Sequence, residues 1–367
     1  MSETAAPSEP SRPRRQVWTA SAGFPGFTAR MARRAEDEGW DGLGLVDSQN
    51  LAGDPFVELG IAATHTERLL LATAVTNPRT RHPAALATAI ATVHGESRGR
   101  AVLGIGRGDS ALAHIGLAPV RISAFADYVT RLQCYLAGDD VEFDAADARA
   151  GASSELAMAS GPSASRLRWI TALGLDKVPV DVAASGPRVI ALAARLADRI
   201  TFAVGADVER LTWAIDVARA TRRDAGLAAD PIGLGAYVPV FVHDDRDVAR
   251  ASIRGGVGSY ARFSVMHGQV SGPADAATTE VLESVHAAYD MDHHFMDGSP
   301  QSQQLTDDVI DRFGVAGPAS YCTERLLALF DLGIDKLFVL GGGINLPRDV
   351  ARGSHTAFVE RVLPALR

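Results

Sequence analysis

The sequence of 367 residues contains little cysteine, little lysine and no long apolar run. Its two cysteines, Cys134 and Cys322, form neither a Cys-x-x-Cys pair nor a Cys/His metal spacing, so neither a disulfide framework nor a zinc site is expected. No run approaches the roughly 20 apolar residues of a membrane-spanning helix, and the N-terminus lacks the apolar core of a signal peptide. We therefore expect a cytoplasmic protein with no membrane partner.

Basic charge is also scarce. Acidic residues number 44 against 36 basic ones, the net charge is −8, and lysine occurs only at Lys177 and Lys336. The one basic cluster is the tail segment Arg12-Pro13-Arg14-Arg15. Because a nucleic-acid-binding protein needs a basic face to neutralise phosphates, we expect no nucleic-acid partner.

Signatures of several enzyme classes are missing as well. The chain has no G-x-G-x-x-G of a dinucleotide-binding fold, no Gly-Lys-Ser of a P-loop and no G-x-S-x-G of a hydrolase. His293 and His294 are adjacent, so their side chains point in different directions, and no thiol or carboxylate recurs nearby at ligand spacing. We therefore predict no metal site.

What the chain does contain is a regular alternation of short apolar runs and helical patterns from residue 16 onward. Eight runs bounded by turn residues predict strands at Val17–Ala20, Gly42–Val46, Leu69–Ala74, Ala101–Ile105, Val178–Ala183, Arg199–Phe202, Ile232–Val242 and Lys336–Leu340. Eight helical patterns follow them, at Gly26–Glu38, Pro55–Thr64, Pro83–Glu96, Ser123–Ala137, Pro187–Leu196, Val208–Ala225, Asp247–Tyr260 and Ser320–Leu332. This arithmetic predicts an α/β fold, a single (β/α)8 TIM barrel; an open doubly wound sheet would typically have five to seven strands.

The domain organisation follows from the same pattern. Residues 1–15 are polar and proline-rich and predict a disordered tail, whereas residues 16–367 form the barrel domain. Two segments do not fit the repeat: residues 141–168 before strand five and residues 262–313 after strand seven. Insertions this long are often lids or binding elements, and a tolerated surface insertion is the alternative.

In such a barrel, the residues just past each strand face the active site. Asp47 and Ser48 end strand two and are the positions that we assign to catalysis, although a structural role for Asp47 at the rim stays open. The other candidates are expected to bind a cofactor together with Asp47: Ala74, Val75, Thr76, Asn77, Gly106, Arg107, Gly108, Asp109 and Ser110. The glycines after strand four would admit a flat ligand close to the backbone, and Arg107 and Asp109 could simply pair with each other.

The best candidate for a phosphate site is the turn after strand five, formed by Ala184, Ser185, Gly186 and Pro187. Its small residues let backbone N–H groups approach an anion, and the first turn of the helix that begins at Pro187 favours negative charge. Val204 and Gly205 follow the neighbouring strand and could close on the same anion. A purely structural turn is the alternative.

Four stretches resemble the luciferase-like monooxygenase superfamily, and within it the branch dependent on coenzyme F420, a deazaflavin, that includes methylenetetrahydromethanopterin reductase. They are residues 73–83, 103–111, 180–187 and 313–318, and the likeness runs over about residues 17–345. The first two are characteristic of the reductase-like branch, and the last two of the superfamily.

The resemblance implies a hydride-transferring oxidoreductase with a small organic substrate. It implies a cis peptide bond between Ala74 and Val75 against one face of the deazaflavin ring, cofactor phosphate at Ser185 and Gly186, and Asp47 near the hydroxylated end of the ring. The alternatives are an FMN-dependent two-component monooxygenase and a non-catalytic flavin- or deazaflavin-binding protein. Family members also often dimerise through barrel helices, so we expect a homodimer to which Phe56, Val57, Leu59 and Ile61 contribute. Ordinary packing of the second helix on the barrel is the alternative for these residues.

One position departs from the family pattern. Several members have a histidine after the strand-two aspartate that protonates the substrate, and here that residue is Ser48. A serine hydroxyl cannot act as a general acid near neutral pH as imidazole can. Either another group donates the proton, for which residues 262–313 are a possible source, or the reaction needs none.

Overall fold

The computed structural model describes residues 15–143, 162–228 and 232–367. The predicted tail, apart from Arg15, and most of the predicted insertion at 141–168 lie outside the described residues. The strands are β1 (Gln16–Ser21), β2 (Gly42–Leu45), β3 (Leu70–Thr73), β4 (Ala101–Ile105), β5 (Val180–Ala184), β6 (Arg199–Phe202), β7 (Gly233–Val242), β8 (Val315–Gly317) and β9 (Lys336–Leu340).

Eight of these strands close into a parallel ring. Each of β1 to β6 pairs with the next one, and β9 pairs with both β7 and β1. The predicted (β/α)8 barrel is therefore confirmed, and the eight predicted strands agree with the observed ones to within two residues at each end.

The helices between the strands also follow the predicted pattern. They are α1 (Thr28–Glu38), α2 (Pro55–His65), α3 (Pro83–Glu96), α4 (Ser110–Ala113), α5 (Ile122–Ala137), α6 (Arg168–Ala172), α7 (Pro187–Leu196), α8 (Val208–Asp224), α9 (Arg246–Phe263), α10 (Ala276–Ala287), α11 (Pro300–Gln303), α12 (Asp307–Phe313), α13 (Ala319–Asp331) and α14 (Arg348–Ala357). Pro55, Pro83 and Pro187 each occupy a first helical turn, where a missing N–H costs nothing. Asp54 adds a side-chain cap to α2 by accepting from two backbone N–H groups.

Strand β8 was not predicted. It lies outside the ring and pairs with the last three residues of β7, Val240–Val242. Strand β7 has ten residues, and its pairing with β9 stops at Pro239, so its last residues are free to bind a further strand. The segment at 262–313 leads to β8 through α10, α11 and α12, so the structure gives this insertion a helical core of its own.

The barrel interior divides the molecule into two ends. We call the end at the carboxyl ends of the strands the mouth, and the opposite end, around Asp181 and Lys336, the floor. At the floor the ammonium of Lys336 forms a buried ion pair with Asp181, which also accepts from the hydroxyl of Thr201 at 2.8 and 2.9 Å. Aromatic side chains fill the space between the two ends, including Trp18, Tyr237 and Phe338.

Candidate functional site

The mouth contains a bulge directly after β3. The peptide bond between Ala74 and Val75 is cis, as the family resemblance implied. Backbone hydrogen bonds fix both sides of it, from Ala74 N to the Leu45 carbonyl at 2.7 Å and from Thr76 N to the Gly104 carbonyl at 3.0 Å. Ala74 and Val75 are only partly buried, so the bulge presents an apolar surface at the mouth.

Two glycines of β4 and its following loop make room for this bulge. A Cβ atom on Gly104 would lie 2.0 Å from the carbonyl oxygen of Thr73, and one on Gly106 would lie 3.3 Å from a methyl group of Val75. The bulge therefore explains both glycines by packing. Their predicted role in admitting a flat ligand stays a prediction.

Aromatic residues surround the bulge from the side of the insertion. Tyr260 and Phe263 at the end of α9, and Phe295 from the segment after α10, belong to the same apolar cluster as Ala74 and Val75. The rings of Tyr260 and Phe295 meet edge to face, with centroids 6.4 Å apart. The bulge and these rings form the apolar walls at this part of the mouth.

Asp47 is almost fully buried, and its carboxylate is fully engaged. One oxygen accepts from Gln49 at 2.6 Å, and the other accepts from the hydroxyl of Thr76 at 2.5 Å and from the guanidinium of Arg81 at 2.8 Å. Arg81 also binds Asp54. The arrangement links the loop after β2 to the loop after β3, so the structural role for Asp47 has direct support.

Other polar atoms at the mouth have no hydrogen-bond partner among the described residues. The hydroxyl oxygen of Ser48 and the amide nitrogen of Asn77 are buried without a hydrogen bond, as is Nε2 of His114. The amide oxygen of Asn77, in contrast, accepts from the backbone N–H groups of Arg79 and Thr80. Buried polar atoms without partners are rare in proteins, and at a mouth of this kind they are available to a ligand.

The predicted pairing of Arg107 with Asp109 is wrong. Asp109 instead binds both terminal nitrogens of Arg262, at the end of α9, with one of the two contacts at 2.9 Å. Arg107 donates to the carbonyl oxygen of Val120 at 2.7 Å. The fork of Arg262 can bind both carboxylate oxygens at once, which is the stronger geometry.

The loop after β5 is open. No side chain caps α7 at Gly186, and a Cβ atom there would meet no atom within 4 Å. Burial lowers the pKa of Arg107, and the nearby charge of Arg188, in the first turn of α7, lowers it further. Two guanidinium groups close together beside an uncapped helix start provide positive charge suited to an anion.

The neighbouring loop after β6 has a different explanation for its glycine. Val204 is completely buried, and Gly205 has a positive φ of 75°. A Cβ atom on Gly205 would lie 2.6 Å from the carbonyl oxygen of Phe313. Close packing against the end of α12 thus requires this glycine, and its predicted contact with phosphate stays a prediction. Ala184 at the end of β5 pairs with Phe202 at the end of β6. The loop that carries Ser185 and Pro187 therefore neighbours the loop that carries Gly205.

Two further side chains reach the mouth from the insertion. The phenol of Tyr289 and Nδ1 of His294 are 2.5 Å apart, and Arg262 stacks over the ring of Tyr289 at 4.6 Å. The Asp109–Arg262 pair thereby joins the loop after β4, which also carries Gly108 and Ser110, to the Tyr289–His294 pair. The sequence alone did not single out Arg262 or Tyr289.

A model of the luciferase-like monooxygenase family matches residues 11–336. The chain belongs to the luciferase-like monooxygenase family. Related proteins of this luciferase-like family are named oxidoreductases and monooxygenases, and this chain is an oxidoreductase of that type.

Among curated relatives, 5,10-methylenetetrahydromethanopterin reductase of Methanolobus tindarius is 25% identical over 332 residues, covering 88% of this chain and 92% of the relative. The reductase of the same name from Archaeoglobus fulgidus is 28% identical, covering 83% of this chain and 86% of the relative. An F420-dependent glucose-6-phosphate dehydrogenase of Beutenbergia cavernae is 32% identical, but over 53% of this chain and 54% of the relative.

Solved structures of the family share the fold. The F420-dependent tetrahydromethanopterin reductase of Methanopyrus kandleri has a TM-score of 0.72 at 21% identity, covering 96% of this chain and all of that one. EDTA monooxygenase from Chelativorans has a TM-score of 0.62 at 16% identity, covering 96% of this chain and 93% of that one. Proteins with this barrel are therefore named both as F420-dependent reductases and as monooxygenases, so the fold alone does not distinguish the two activities.

The predicted dimer face is only partly accessible. Phe56 and Leu59 are buried in the main core, where α2 packs on the barrel, so they are wrong choices for an outer surface. Val57 is 63% exposed and Ile61 is partly exposed. A homodimer stays a prediction.

The described ranges contain neither a metal-binding cluster nor a membrane-spanning helix. Within residues 15–143, 162–228 and 232–367, no cluster of three or more His, Cys, Asp or Glu side chains could hold a metal ion. None of the helices in the same ranges has the length and apolarity to cross a bilayer.

Proposed function

We propose that this protein transfers hydride between coenzyme F420 and a small organic substrate. The curated relatives that align over most of both chains are named as reductases of a methanopterin, and other relatives carry F420 dependence in their names. The observation that supports the proposal within this chain is the pairing of an apolar bulge at Ala74–Val75 with an open, positively charged loop at Gly186.

The residues present fit such a cofactor. The partly exposed bulge and the unpartnered atoms of Ser48 and Asn77 suit a flat ring with polar edges. The turn at Ser185 and Gly186, with Arg107 and Arg188, suits the phosphate of its tail. The bound deazaflavin would supply the hydride chemistry, while the protein binds it, orients it and covers one face.

The first test is binding. Spectroscopic titration of the purified protein with oxidised coenzyme F420 and with reduced FMN separates the proposal from its flavin alternative. We expect saturable binding of the deazaflavin and weaker binding of FMN. Tight binding of reduced FMN without binding of the deazaflavin would contradict the proposal and favour a monooxygenase; binding of the deazaflavin without turnover on alcohols, imines and enones would favour a binding protein.

Arg188→Gln tests the anion site within the same experiment. Removing one charged contact to a phosphate should cost about 1.5–3 kcal/mol, which is at least a tenfold loss of F420 affinity. Arg195→Gln is the matched control, because Arg195 is exposed at the other end of the same helix. Equal F420 affinities of the two variants would show that the phosphate does not bind at this loop.

A further inference from the structure

His294 and Tyr289 form a hydrogen-bonded imidazole–phenol pair at the mouth. The phenol oxygen lies 2.5 Å from Nδ1 of His294 and 3.2 Å from the hydroxyl of Ser259. Ser259 in turn donates to the Gly255 carbonyl one turn earlier in α9. The pair is thus held from α9, and it fixes the orientation of the imidazole ring.

The second ring nitrogen of His294 has no hydrogen-bond partner among the described residues. In the described part of the chain, Nε2 of His294 makes no hydrogen bond, whereas Nδ1 is engaged by the phenol. When Nδ1 carries the proton and donates to the phenol oxygen, Nε2 presents a lone pair. When the phenol donates to Nδ1, Nε2 presents an N–H. The phenol therefore couples the two forms of the imidazole.

This imidazole is close to the apolar walls that surround the bulge. Its ring packs edge to face on Phe295, with centroids 4.7 Å apart. Phe295 contacts Tyr260 and belongs with Val75 to one apolar cluster. His294 therefore lies beside the surface against which the ring of the cofactor is proposed to bind.

The charged groups around His294 are already matched. Asp109 and Arg262 neutralise each other, and His114 is the remaining titratable group near the imidazole besides Tyr289. Burial lowers the pKa of His294 to about 4; Asp109 acts in the opposite sense, and Arg262 and His114 lower it further. The imidazole is therefore neutral at pH 7, and the matched charges favour an uncharged substrate.

The two carboxylates in the loops after β2 and β4 are engaged. The carboxylate of Asp47 accepts from three side chains, and that of Asp109 is bound by Arg262. Ser48, with its unpartnered hydroxyl, has no acidity near neutral pH. Nε2 of His114 and one oxygen of Asp297 are also buried without a partner. His294, however, is the imidazole that packs on Phe295 beside the bulge and has a phenol on its other ring nitrogen, which makes it the better-placed group for proton exchange.

We propose that Nε2 of His294 is the catalytic proton-exchange group of this enzyme, positioned by Tyr289, and that the substrate is an uncharged alcohol or ketone, because that pair exchanges one proton at oxygen with each hydride at carbon. The inference rests on the proposed function. In oxidation, the C–H electron pair leaves the carbinol carbon as hydride for the oxidised deazaflavin, the O–H proton passes to Nε2, and C–O becomes C=O. In reduction, the carbonyl carbon accepts hydride from the reduced deazaflavin, and its oxygen takes the Nε2 proton of the imidazolium form, which returns to the neutral imidazole.

His294→Gln is the decisive variant, and His293→Gln is its matched control. His293 is the adjacent residue, but it is exposed and binds Asp290 rather than the mouth. With a panel of uncharged secondary alcohols and ketones, we expect His294→Gln to lose 100-fold or more in kcat and His293→Gln to keep wild-type kcat. Affinity for F420 should stay within about threefold in both, because neither residue is at the anion loop.

A second readout does not depend on turnover. In the cofactor-free protein, nitrogen NMR of labelled histidine should show His294 neutral down to about pH 5. Tyr289→Phe should shift the proton distribution between its two ring nitrogens, and it should reduce kcat less than His294→Gln does. A merely structural histidine would show the same shift but no loss of kcat in either variant.

The outcomes separate the two levels of the proposal. Failure of the wild type to bind F420 overturns the proposed function itself. Binding of F420 with wild-type kcat in His294→Gln, or turnover of imines alone, overturns the inference about His294 and leaves the cofactor assignment intact. If the His294 variant does not fold, Tyr289→Phe becomes the test. Unchanged nitrogen chemical shifts of His294 in that variant would overturn the positioning role of Tyr289.

Discussion

The floor and the mouth of the barrel treat buried polar groups in opposite ways. At the floor, Asp181 binds Lys336 and Thr201, and Arg199 at the start of β6 binds Asp335, which precedes β9, across the intervening β7. At the mouth, Ser48, Asn77 and His114 each bury a polar atom without a protein partner. A completed network holds strands together, whereas an incomplete one is available to a ligand.

The difference also appears in the electrostatics. Burial on its own would raise the pKa of Asp181, but the charges of Lys336 and Arg199 outweigh it and the pKa is lowered. At the mouth, burial dominates: it lowers the pKa of His294 to about 4 and raises that of Asp297 to about 6. The floor stabilises its charges, whereas burial at these two positions of the mouth favours the neutral form.

Lys336→Met should have the largest effect, because it breaks the floor network on one side. The variant leaves Asp181 buried without its cation, which typically costs about 3–5 kcal/mol of unfolding free energy. Urea unfolding followed by circular dichroism measures this loss. Lys336→Met combined with Asp181→Asn removes both charges and should recover part of it. A single variant as stable as the wild type would show that the floor pair is dispensable.

The sequence predicted the barrel well because its signals are local. Proline at the first helical turn and short apolar strands fixed the predicted bounds at Pro83–Glu96, Pro187–Leu196 and Ala101–Ile105 without error. Strand β8 escaped because three residues beside a long strand leave no period to detect. Its partner is a strand more than 70 residues earlier in the chain, and that pairing has no local signal.

The candidate site was less predictable for the same reason. The turn at Ser185 and Gly186 was predictable because its small residues and the helix that begins at Pro187 lie in one continuous stretch of sequence. The pairing of Asp109 with Arg262 joins positions 153 residues apart, and the local alternative, Arg107, was the wrong partner. Residues on different elements meet only once the barrel closes, so a single sequence cannot assign such pairs.

Asp297→Asn should have a smaller effect of opposite sign to the floor variant. Asp297 accepts from the backbone N–H of Gly255 at 2.7 Å and leaves its other oxygen buried without a partner. Because burial raises its folded pKa to about 6, wild-type stability is highest below the unfolded pKa and is lost as pH rises through 6. Asparagine cannot ionise, so the variant should gain on the order of 1 kcal/mol at pH 7.5, after allowing for solvent screening.

Thermal unfolding at pH 4.5 and pH 7.5 measures this gain, which should shrink at the lower pH. Asp290→Asn is the contrast, since a hydrogen bond from His293 lowers the pKa of Asp290 and its contribution therefore has the opposite sign. A loss of stability in Asp297→Asn at pH 7.5 would mean that the charged form of Asp297 is stabilised after all.

Ser48→Ala should have the smallest effect and is the sharpest comparison within the mouth. The hydroxyl of Ser48 has no protein partner, so removing it should change the unfolding free energy by less than about 0.5 kcal/mol. Thr76→Val is the matched variant, because the hydroxyl of Thr76 donates to the Asp47 carboxylate at 2.5 Å and its loss should cost about 1.5–3 kcal/mol. Urea unfolding of the two variants, together with kcat, separates the roles. If His294 exchanges the proton, Ser48→Ala keeps kcat within about threefold of wild type, and a 100-fold loss would return the catalytic assignment to Ser48.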